Sequence, residues 1–209
     1  MNPEEKVDLY KELSRNYDNQ VREYNSYGHD VLFGMSFDFV KTDEKLLDIG
    51  IGTGLASIPF AMIGLKVYGL DASQEMLNVC KSKSFAQELK LVDMTGDLIP
   101  YKDNYFDHVV CCGAMHFMDD LSNLFAEIKR VMKRGGICAF TISPQETKSL
   151  YIKEDTVWDV PIFKHSSHYI WDLLDENSFA LQKEQRLLMK GPDKVHYDML
   201  FSAIIAEYQ

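Results

Sequence analysis

The sequence lacks the features that mark several common functional classes. It has no apolar run close to the roughly 18 residues that a membrane-spanning helix needs. Its first residues, MNPEEKVDLYKE, are acidic and have no apolar core, so we do not expect a signal peptide. GxSxG, P-loop and HExxH motifs are also missing, which disfavours hydrolase and phosphotransferase functions.

Cysteine and basic residues are scarce. The four cysteines, Cys80, Cys111, Cys112 and Cys138, form no CxxC pair and no Cys/His ligand spacing. We therefore expect no metal site and a reduced, cytoplasmic setting. Lysine and arginine number 22 against 32 acidic residues, a formal charge of −10. This balance argues against a nucleic-acid substrate held by phosphate contacts, and it leaves the oligomeric state open.

The most informative stretch is a short apolar strand that breaks into alternating glycines, LLDIGIGTG, from Leu46 to Gly54. Glycines at Gly50, Gly52 and Gly54 let a ligand approach the backbone, and the helix that follows offers free N–H groups. The next strand, VYGLD, ends at Asp71, where a carboxylate can accept both hydroxyls of a ribose. The plainer alternative is an ordinary tight turn, with Asp71 merely opening the next one.

These stretches resemble the class I S-adenosylmethionine (SAM)-dependent methyltransferases. The likeness extends from about Leu46 to Ile142, where LIPYKDNYFDHVV, GAMHFMDD and EIKRVMKRGGICAFTI are similar to the family's later landmarks. It implies transfer of a methyl group from SAM to a small-molecule acceptor by in-line displacement. One alternative is an NAD-dependent oxidoreductase, which Leu55 disfavours because it replaces the third glycine of a dinucleotide fingerprint. The other is a SAM-binding protein without transferase activity.

The resemblance also implies which residues contact the cofactor. Tyr17 belongs to a Tyr-Asp pair that lies near the methionine end of SAM in many relatives. Asp93, preferred over Asp97, is expected to accept from the adenine amino group, while the backbone of Met94 donates to the ring. The full expected set is Tyr17, Asp48, Gly50, Gly52, Gly54, Asp71, Ala72, Met76, Asp93, Met94, Cys112 and Gly113.

A sulfonium methyl group is already activated, so the protein has mainly to align the acceptor and exclude water. A general base is needed only when the acceptor is a protonated hydroxyl or a weak carbon acid. His116, just beyond the expected fourth strand, is the best candidate for such a base. The alternative is that His116 packs against or caps the next helix. His165 and His168 are weaker candidates that could also reach the pocket.

The alternation of strands and helices from Lys45 predicts an α/β, Rossmann-like three-layer sandwich, with a seven-stranded, mostly parallel sheet and an antiparallel last strand. We expect a single methyltransferase domain, 1–209. Within it, 1–44 is an N-terminal helical lid segment, 45–143 is the cofactor-binding core, and 144–209 holds the substrate-side loop, a helix and the closing strands. The expected strands are 45–49, 66–70, 89–93, 106–112, 137–142, 179–189 and 196–208.

Local signals predict the ends of several helices. Asn2 is expected to start an N-terminal helix, and Ser73 to cap the helix after the second strand. The helix after the glycines should start near Leu55 or Ala56, with Pro59 in or just past its first turn. Asp119 or Asp120 should cap the next amphipathic helix, and Ser166 or Ser167 a later one. The stretch 146–165 is expected to be an irregular binding loop, and Gly191-Pro192 to turn between the last two strands.

Overall fold

A computed structural model describes residues 14–155, 161–190 and 198–209. Seven strands form the main sheet: β1 Lys45–Ile49, β2 Lys66–Asp71, β3 Glu88–Leu91, β4 His108–Cys111, β5 Ile137–Ile142, β9 Phe179–Lys190 and β10 Asp198–Tyr208. Their order across the sheet is β3-β2-β1-β4-β5-β10-β9. The first five run parallel, whereas β10 is antiparallel to both β5 and β9. The predicted mostly parallel sheet with an antiparallel last strand is confirmed.

Helices cover both faces of this sheet. They are α1, described over 14–23, α2 Gly28–Ser36, α3 Ile58–Met62, α4 Gln74–Ser82, α5 Ser122–Val131 and α6 Ser167–Glu176. Side chains of α2, α3 and α4 share one buried cluster with one face of the strands, and those of α5 and α6 share another with the opposite face. The chain therefore forms the predicted three layers.

The best predicted elements are those that the core buries most completely. All six residues of β5 are buried, as expected for a central strand covered on both faces. Helix α5 buries Leu124, Phe125, Ile128 and Val131, which recur at helical spacing. Each such side chain contributes about 1.5–3 kcal/mol when it leaves water. These contacts hold the strand ends, and so the candidate site, in fixed positions.

The stretch 146–165 differs from the prediction, because part of it is regular structure. A second sheet contains β6 Pro144–Gln145, β7 Tyr151–Glu154 and β8 Ile162–Ser166, in the order β6-β8-β7. The expectation of an irregular loop was wrong for these residues. The strands have two, four and five residues, too few for a clear alternation, and they are defined by pairing with one another.

Two serine caps are confirmed. Ser73 Oγ accepts from the N–H of Met76 at 3.2 Å, and Ser166 Oγ accepts from that of Tyr169 at 3.1 Å. The start of α5 differs, because Leu121 occupies the N-cap position.

The predicted acidic cap nevertheless lies close to that position. Asp120 lies one residue before the cap, and its Oδ1 accepts from the N–H of Ser122 at 2.8 Å. Asp119 Oδ1 accepts from the N–H of Asp120. The prediction was wrong about the position, although Asp120 still satisfies an N–H group of the first turn.

Helix α3 begins at Ile58, later than the predicted Leu55 or Ala56, and Pro59 lies in its first turn. The delay arises because Gly52 and Gly54 have positive φ and carry the chain through a turn first. The expected helix start at Asn2 and the turn at Gly191-Pro192 lie outside the described residues. Within the described residues, no helix is both long enough and apolar enough to cross a membrane.

Candidate active site at the carboxyl edge of the sheet

The glycine turn after β1 and the acid that ends β2 are joined directly. Asp71 Oδ2 accepts from the backbone N–H of Gly52 at 2.7 Å, and Oδ1 accepts from that of Ser73 at 2.8 Å. Burial raises the pKa of Asp71, although these backbone hydrogen bonds act to lower it. The side chain is partly exposed, so its oriented oxygens keep lone pairs for the hydroxyl groups of a ligand.

The three glycines of the turn have different surroundings. A Cβ atom on Gly52 would meet nothing within 4 Å, although its φ is +53°. A Cβ on Gly54 would lie 2.4 Å from the ring of Phe85, and one on Gly50 would lie 2.5 Å from Cβ of Ala114. Gly52 thus borders open space that a ligand can fill, whereas Gly50 and Gly54 are needed for close packing within the protein.

Asp48, the second-last residue of β1, is a fully buried carboxylate with one oxygen that forms no hydrogen bond. Its Oδ2 accepts from the hydroxyl of Ser57 at 2.5 Å. Its Oδ1 has no hydrogen-bond partner among the described residues. Burial raises the pKa of Asp48 to about 7, repulsion from Asp71 adds to this, and the Ser57 hydrogen bond opposes it. A cationic ligand group would satisfy the unused oxygen and stabilise the ionised form.

This donor and acceptor set fits the expected cofactor. The ribose of SAM needs hydrogen-bond acceptors, which Asp71 provides beside the open space at Gly52. The amino-acid end of SAM carries an ammonium group, which suits the unpartnered oxygen of Asp48. The chemistry of these residues is therefore compatible with this cofactor.

Helix α1 is tied to the same region through the residue after Tyr17. Asp18 accepts from the hydroxyl of Thr53 in the glycine turn at 2.5 Å, and it pairs with Lys83 Nζ at the end of α4, also at 2.5 Å. Tyr17 is 38% exposed. Desolvation is the main cause that raises the pKa of its phenol to about 12, and Cys112, Asp18 and Asp71 add to it. The phenol thus interacts electrostatically with Asp71, which ends β2, and with Cys112, which follows β4.

The second helix of the expected lid has another location. Helix α2 packs against β5 and β10 on one face of the sheet, with Leu32 fully buried. Within the described part of 1–44, α1 is the helix tied to the glycine turn.

The two acids considered for the adenine contact lie in one turn after β3. Asp93 is exposed, and its Oδ1 accepts from the N–H and hydroxyl of Thr95 at 3.0 and 2.7 Å. These bonds lower the pKa of Asp93. Asp97 Oδ2 accepts from the backbone N–H of Asp93 at 3.3 Å. Asp97 thus supports the turn that presents Asp93, and Met94 beside it packs against the core.

The other expected cofactor residues lie at the same edge. Gly113 follows β4 with φ +73° and open space where a Cβ would be, and its N–H donates to Thr141 at 2.8 Å. Cys112 is partly exposed, and burial raises the pKa of its thiol to about 12. Ala72 is exposed after Asp71, and Met76 is partly buried in the first turn of α4.

His116 lies in a short 3₁₀ helix, Met115–Phe117, beyond β4. Its Nδ1 is buried and has no hydrogen-bond partner among the described residues. Burial, with a smaller effect from His165, lowers the pKa of His116 to about 4. The ring is therefore neutral at pH 7, and a group with so low a pKa is a weak proton acceptor.

The two weaker histidine candidates, His165 and His168, differ in burial. His165 is fully buried in β8 and interacts electrostatically with His116. His168 is exposed on α6. The structure therefore brings His165, but not His168, into the buried surroundings of His116.

Sequence reasoning missed the role of Asp18 and the partners of His165. Asp18 and Thr53 lie 35 residues apart, and no local pattern links them. His165 contacts the carbonyl groups of Met118 and Asp119, more than 40 residues earlier in the chain. The only available signal was the Tyr-Asp pair, because its aspartate is the residue that forms the tether.

Comparisons with known proteins agree with this geometry. Residues 47–140 match the model of a family described as a methyltransferase domain. A demethylmenaquinone methyltransferase from Bacillus mycoides is 33% identical over 202 residues, which cover 87% of this chain and 84% of that protein. A biotin biosynthesis bifunctional protein from Saccharophagus degradans is 30% identical over 139 residues, covering 64% of this chain but 25% of that longer protein.

Solved structures show the same fold. The crystal structure of a putative S-adenosylmethionine-dependent methyltransferase from Listeria monocytogenes matches with a TM-score of 0.71 at 18% identity. The match covers 90% of this chain and 99% of that one. At this identity the likeness establishes the fold alone.

Proposed function

The chain belongs to the class I SAM-dependent methyltransferases, with SAM as its methyl donor, and we propose that its acceptor is an apolar, ring-bearing small molecule. The observation that carries the proposal is the group of aromatic side chains around His116. The rings of Phe117 and Phe201 lie 4.2 and 5.7 Å from that of His116 between centroids. Phe117 is 48% exposed, so an entering molecule can contact it.

The donor side of the site is assigned to residues around the glycine turn. SAM supplies a methyl group that its positive sulfur has already activated. We assign Asp71 to the ribose, Asp48 to the ammonium group and Asp93 with Met94 to the adenine, with the open space at Gly52 and Gly113 for close approach. The remaining expected contacts are Tyr17, Gly50, Gly54, Ala72, Met76 and Cys112.

The acceptor side is assigned to the second sheet and the 3₁₀ helix. Tyr151 pairs with His165 across β7 and β8, so their side chains share one face, and Phe163 is on that face two residues along. The rings of Tyr151 and Phe163 are 5.4 Å apart. An apolar ring gains favourable burial against such a surface.

The chain's role in catalysis is alignment and exclusion of water. Holding two reactants in line can lower the barrier by roughly 7–11 kcal/mol. His116, neutral at pH 7, can accept a hydrogen bond from the acceptor and fix its orientation. We propose this role for His116 in place of strong general-base catalysis, since a group with a pKa of about 4 binds a proton weakly.

The name of the Bacillus mycoides relative supports a quinol-like acceptor, and the net charge of −10 supports a small molecule over nucleic acid. The free cysteines, Cys80, Cys111, Cys112 and Cys138, support a reduced, cytoplasmic setting.

The test is a labelling assay with methyl-labelled SAM and the full chain. Candidate acceptors are reduced demethylmenaquinone, small naphthols and, as polar comparisons, an aliphatic amine and a carboxylic acid. We expect label in the quinol or a naphthol, and loss of labelling with Asp71→Ala but not with Asp172→Ala, an exposed acid on α6. Labelling of the amine or the acid alone, or of added RNA, would contradict the proposal.

A further inference from the structure

His165 is a fully buried histidine in which one ring nitrogen is hydrogen-bonded and the other has no partner among the described residues. Its Nε2 lies 3.0 Å from the carbonyl oxygen of Met118 and 3.3 Å from that of Asp119. Carbonyl oxygens only accept, so Nε2 carries the hydrogen and Nδ1 of the neutral ring is a bare lone pair. This Nδ1 is buried and has no partner among the described residues.

The ring of His165 is held from several sides. Tyr169 stacks on it at 5.9 Å between centroids. The hydroxyl of Tyr169 donates to Asp120 Oδ1 at 2.9 Å and accepts from the N–H of Leu121 at 2.8 Å. Together with the two carbonyl contacts, this network fixes the direction of Nδ1 before any ligand arrives.

His116 provides a second buried ring nitrogen nearby, because β8 packs against the 3₁₀ helix Met115–Phe117. Its Nδ1 is likewise buried without a partner among the described residues, and the two rings interact electrostatically. Burial lowers the pKa of both imidazoles, so both are neutral at pH 7. Buried polar atoms in native proteins are nearly always hydrogen-bonded, so the bare Nδ1 of His165 calls for a hydrogen-bond donor, and Nδ1 of His116 calls for a partner of its own.

The side chains around the two histidines limit which chemical groups can be the missing donor. Carboxylates and phosphates only accept, and neutral rings offer them no charge. An ammonium group would lose its hydration among Phe117, Phe201 and Tyr169. The carboxylates next to His165, Asp119 and Asp120, already accept hydrogen bonds from backbone N–H groups and, for Asp120, from the Tyr169 hydroxyl. A neutral hydroxyl on an aromatic ring can donate its one hydrogen to Nδ1 of His165, and its ring suits the aromatic walls.

We infer that Nδ1 of His165 accepts a hydrogen bond from a hydroxyl group of the methyl acceptor, which makes His165 a specificity-determining residue for hydroxylated aromatic molecules. This inference rests on the proposed function, because it takes the region of His116 as the acceptor side. It adds the requirement that the acceptor carry a hydroxyl group.

Two substitutions separate recognition from simple packing. In His165→Gln, the side-chain amide reaches the position of Nε2 and can still donate to Met118 and Asp119, but nothing replaces Nδ1. In His165→Asn, the amide oxygen takes the position of Nδ1, while the contacts to the two carbonyl groups are lost. A purely structural histidine would tolerate Gln better than Asn in every measurement.

The experiment measures binding of 2-naphthol and 2-methoxynaphthalene to the full chain saturated with S-adenosylhomocysteine. For the wild type we expect about tenfold tighter binding of the naphthol, the difference that one hydrogen bond makes. His165→Gln should reduce this preference to within about twofold while keeping its melting temperature and cofactor affinity. His165→Asn should keep the preference and melt at a lower temperature.

A measurement on the wild type tests the inference even if the variants do not fold. With ¹⁵N-labelled histidine, the Nδ1 resonance of His165 should shift on addition of 2-naphthol and not of 2-methoxynaphthalene. No preference in the wild type, or an unchanged preference in His165→Gln, would overturn the inference and indicate a buried water at Nδ1. If the wild type fails to bind S-adenosylhomocysteine, the proposed function itself is contradicted, whereas cofactor binding without hydroxyl preference contradicts only the role of His165.

Discussion

The carboxylate of Asp71 accepts a hydrogen bond of 2.7 Å from the backbone N–H of Gly52, across the gap between the ends of β1 and β2. A second bond, from the N–H of Ser73, holds the other oxygen. The acid therefore shapes the glycine turn as well as offering oxygens to a ribose. Its loss should affect both the shape of the turn and the affinity for the cofactor.

Replacement of Asp71 by alanine should weaken SAM binding by roughly 10- to 150-fold, because a charged hydrogen-bond acceptor is worth about 1.5–3 kcal/mol. The SAM affinity of Asp71→Asn should lie between those of the wild type and Asp71→Ala. The amide oxygen of asparagine replaces one acceptor, but its NH₂ group faces a backbone N–H. Titration calorimetry with SAM measures the change, with Asp172→Ala as control. Equal affinities in all four proteins would refute the assignment, and tighter binding of NAD(H) than of SAM would refute the cofactor.

Gly52→Ala should mainly weaken cofactor binding, whereas Gly54→Ala should mainly lower the stability of the fold. Both positions have positive φ, so each variant should lose about 1 kcal/mol from backbone strain alone. A methyl group on Gly54 also meets Phe85 at 2.4 Å, so Gly54→Ala should lower the melting temperature most. Gly52→Ala should keep most of the stability and lose cofactor affinity, because its methyl group enters the open space. The reverse order in the two measurements would contradict this division.

The affinity for SAM should depend on pH through Asp48. The pKa of this carboxyl is raised to about 7 without ligand, and the ionised form is the one that attracts a cation. SAM affinity should therefore fall about tenfold for each pH unit below 7, and Asp48→Asn should remove the dependence. Calorimetry from pH 5.5 to 8 tests this, with Asp172→Asn expected to keep the wild-type slope. A flat wild-type profile would contradict it.

The same residue should make the ligand-free protein less stable as pH rises. Because the folded pKa of about 7 lies above the unfolded value of 3.8, the folded state binds more protons between these values. The free energy of unfolding should fall across this window, by at most about 4 kcal/mol, and Asp48→Asn should be spared that loss. Urea denaturation at pH 4, 6 and 8 measures the difference. A variant that gains nothing over the wild type at pH 8 would argue against the raised pKa.

Asp18 should control how fast the cofactor leaves. It holds α1 to Thr53 and Lys83, so Asp18→Ala should raise the dissociation rate of S-adenosylhomocysteine by about 5- to 30-fold. Asp18→Asn keeps an acceptor for Thr53 and should show a smaller effect. Stopped-flow dissociation and hydrogen exchange over 14–23 are the measurements. Unchanged rates together with unchanged protection would mean that α1 does not close the site.

The parts of the fold predicted from sequence are those set by local patterns and burial. β1 and β5 have the predicted bounds because continuous apolar residues suit strands covered on both faces. The buried face of α5 follows from its helical periodicity. The start of α3 was wrong because backbone turns at the glycines, rather than side-chain preference, decide where that helix can begin.

In the candidate site too, the residues that could be predicted are those set by local sequence patterns. The glycines and Asp71 occur in two short local patterns, LLDIGIGTG and VYGLD, so the sequence indicates them directly. The tether from Asp18 to Thr53 and the link from His165 to Met118 join residues far apart in the chain. Such contacts depend on the assembled sheet, and β6, β7 and β8 were too short for their pairing to be foreseen.

The strands at the two ends of the main sheet have a consequence for how the protein behaves at high concentration. An unpaired strand edge can recruit a strand from another molecule and begin aggregation. β3 is only four residues long, and β9, though twelve residues long, carries Lys183 and Arg186, which pair with Asp38 and Glu146. The short length of β3 and the charged side chains of β9 are both features that disfavour the addition of a strand from another molecule.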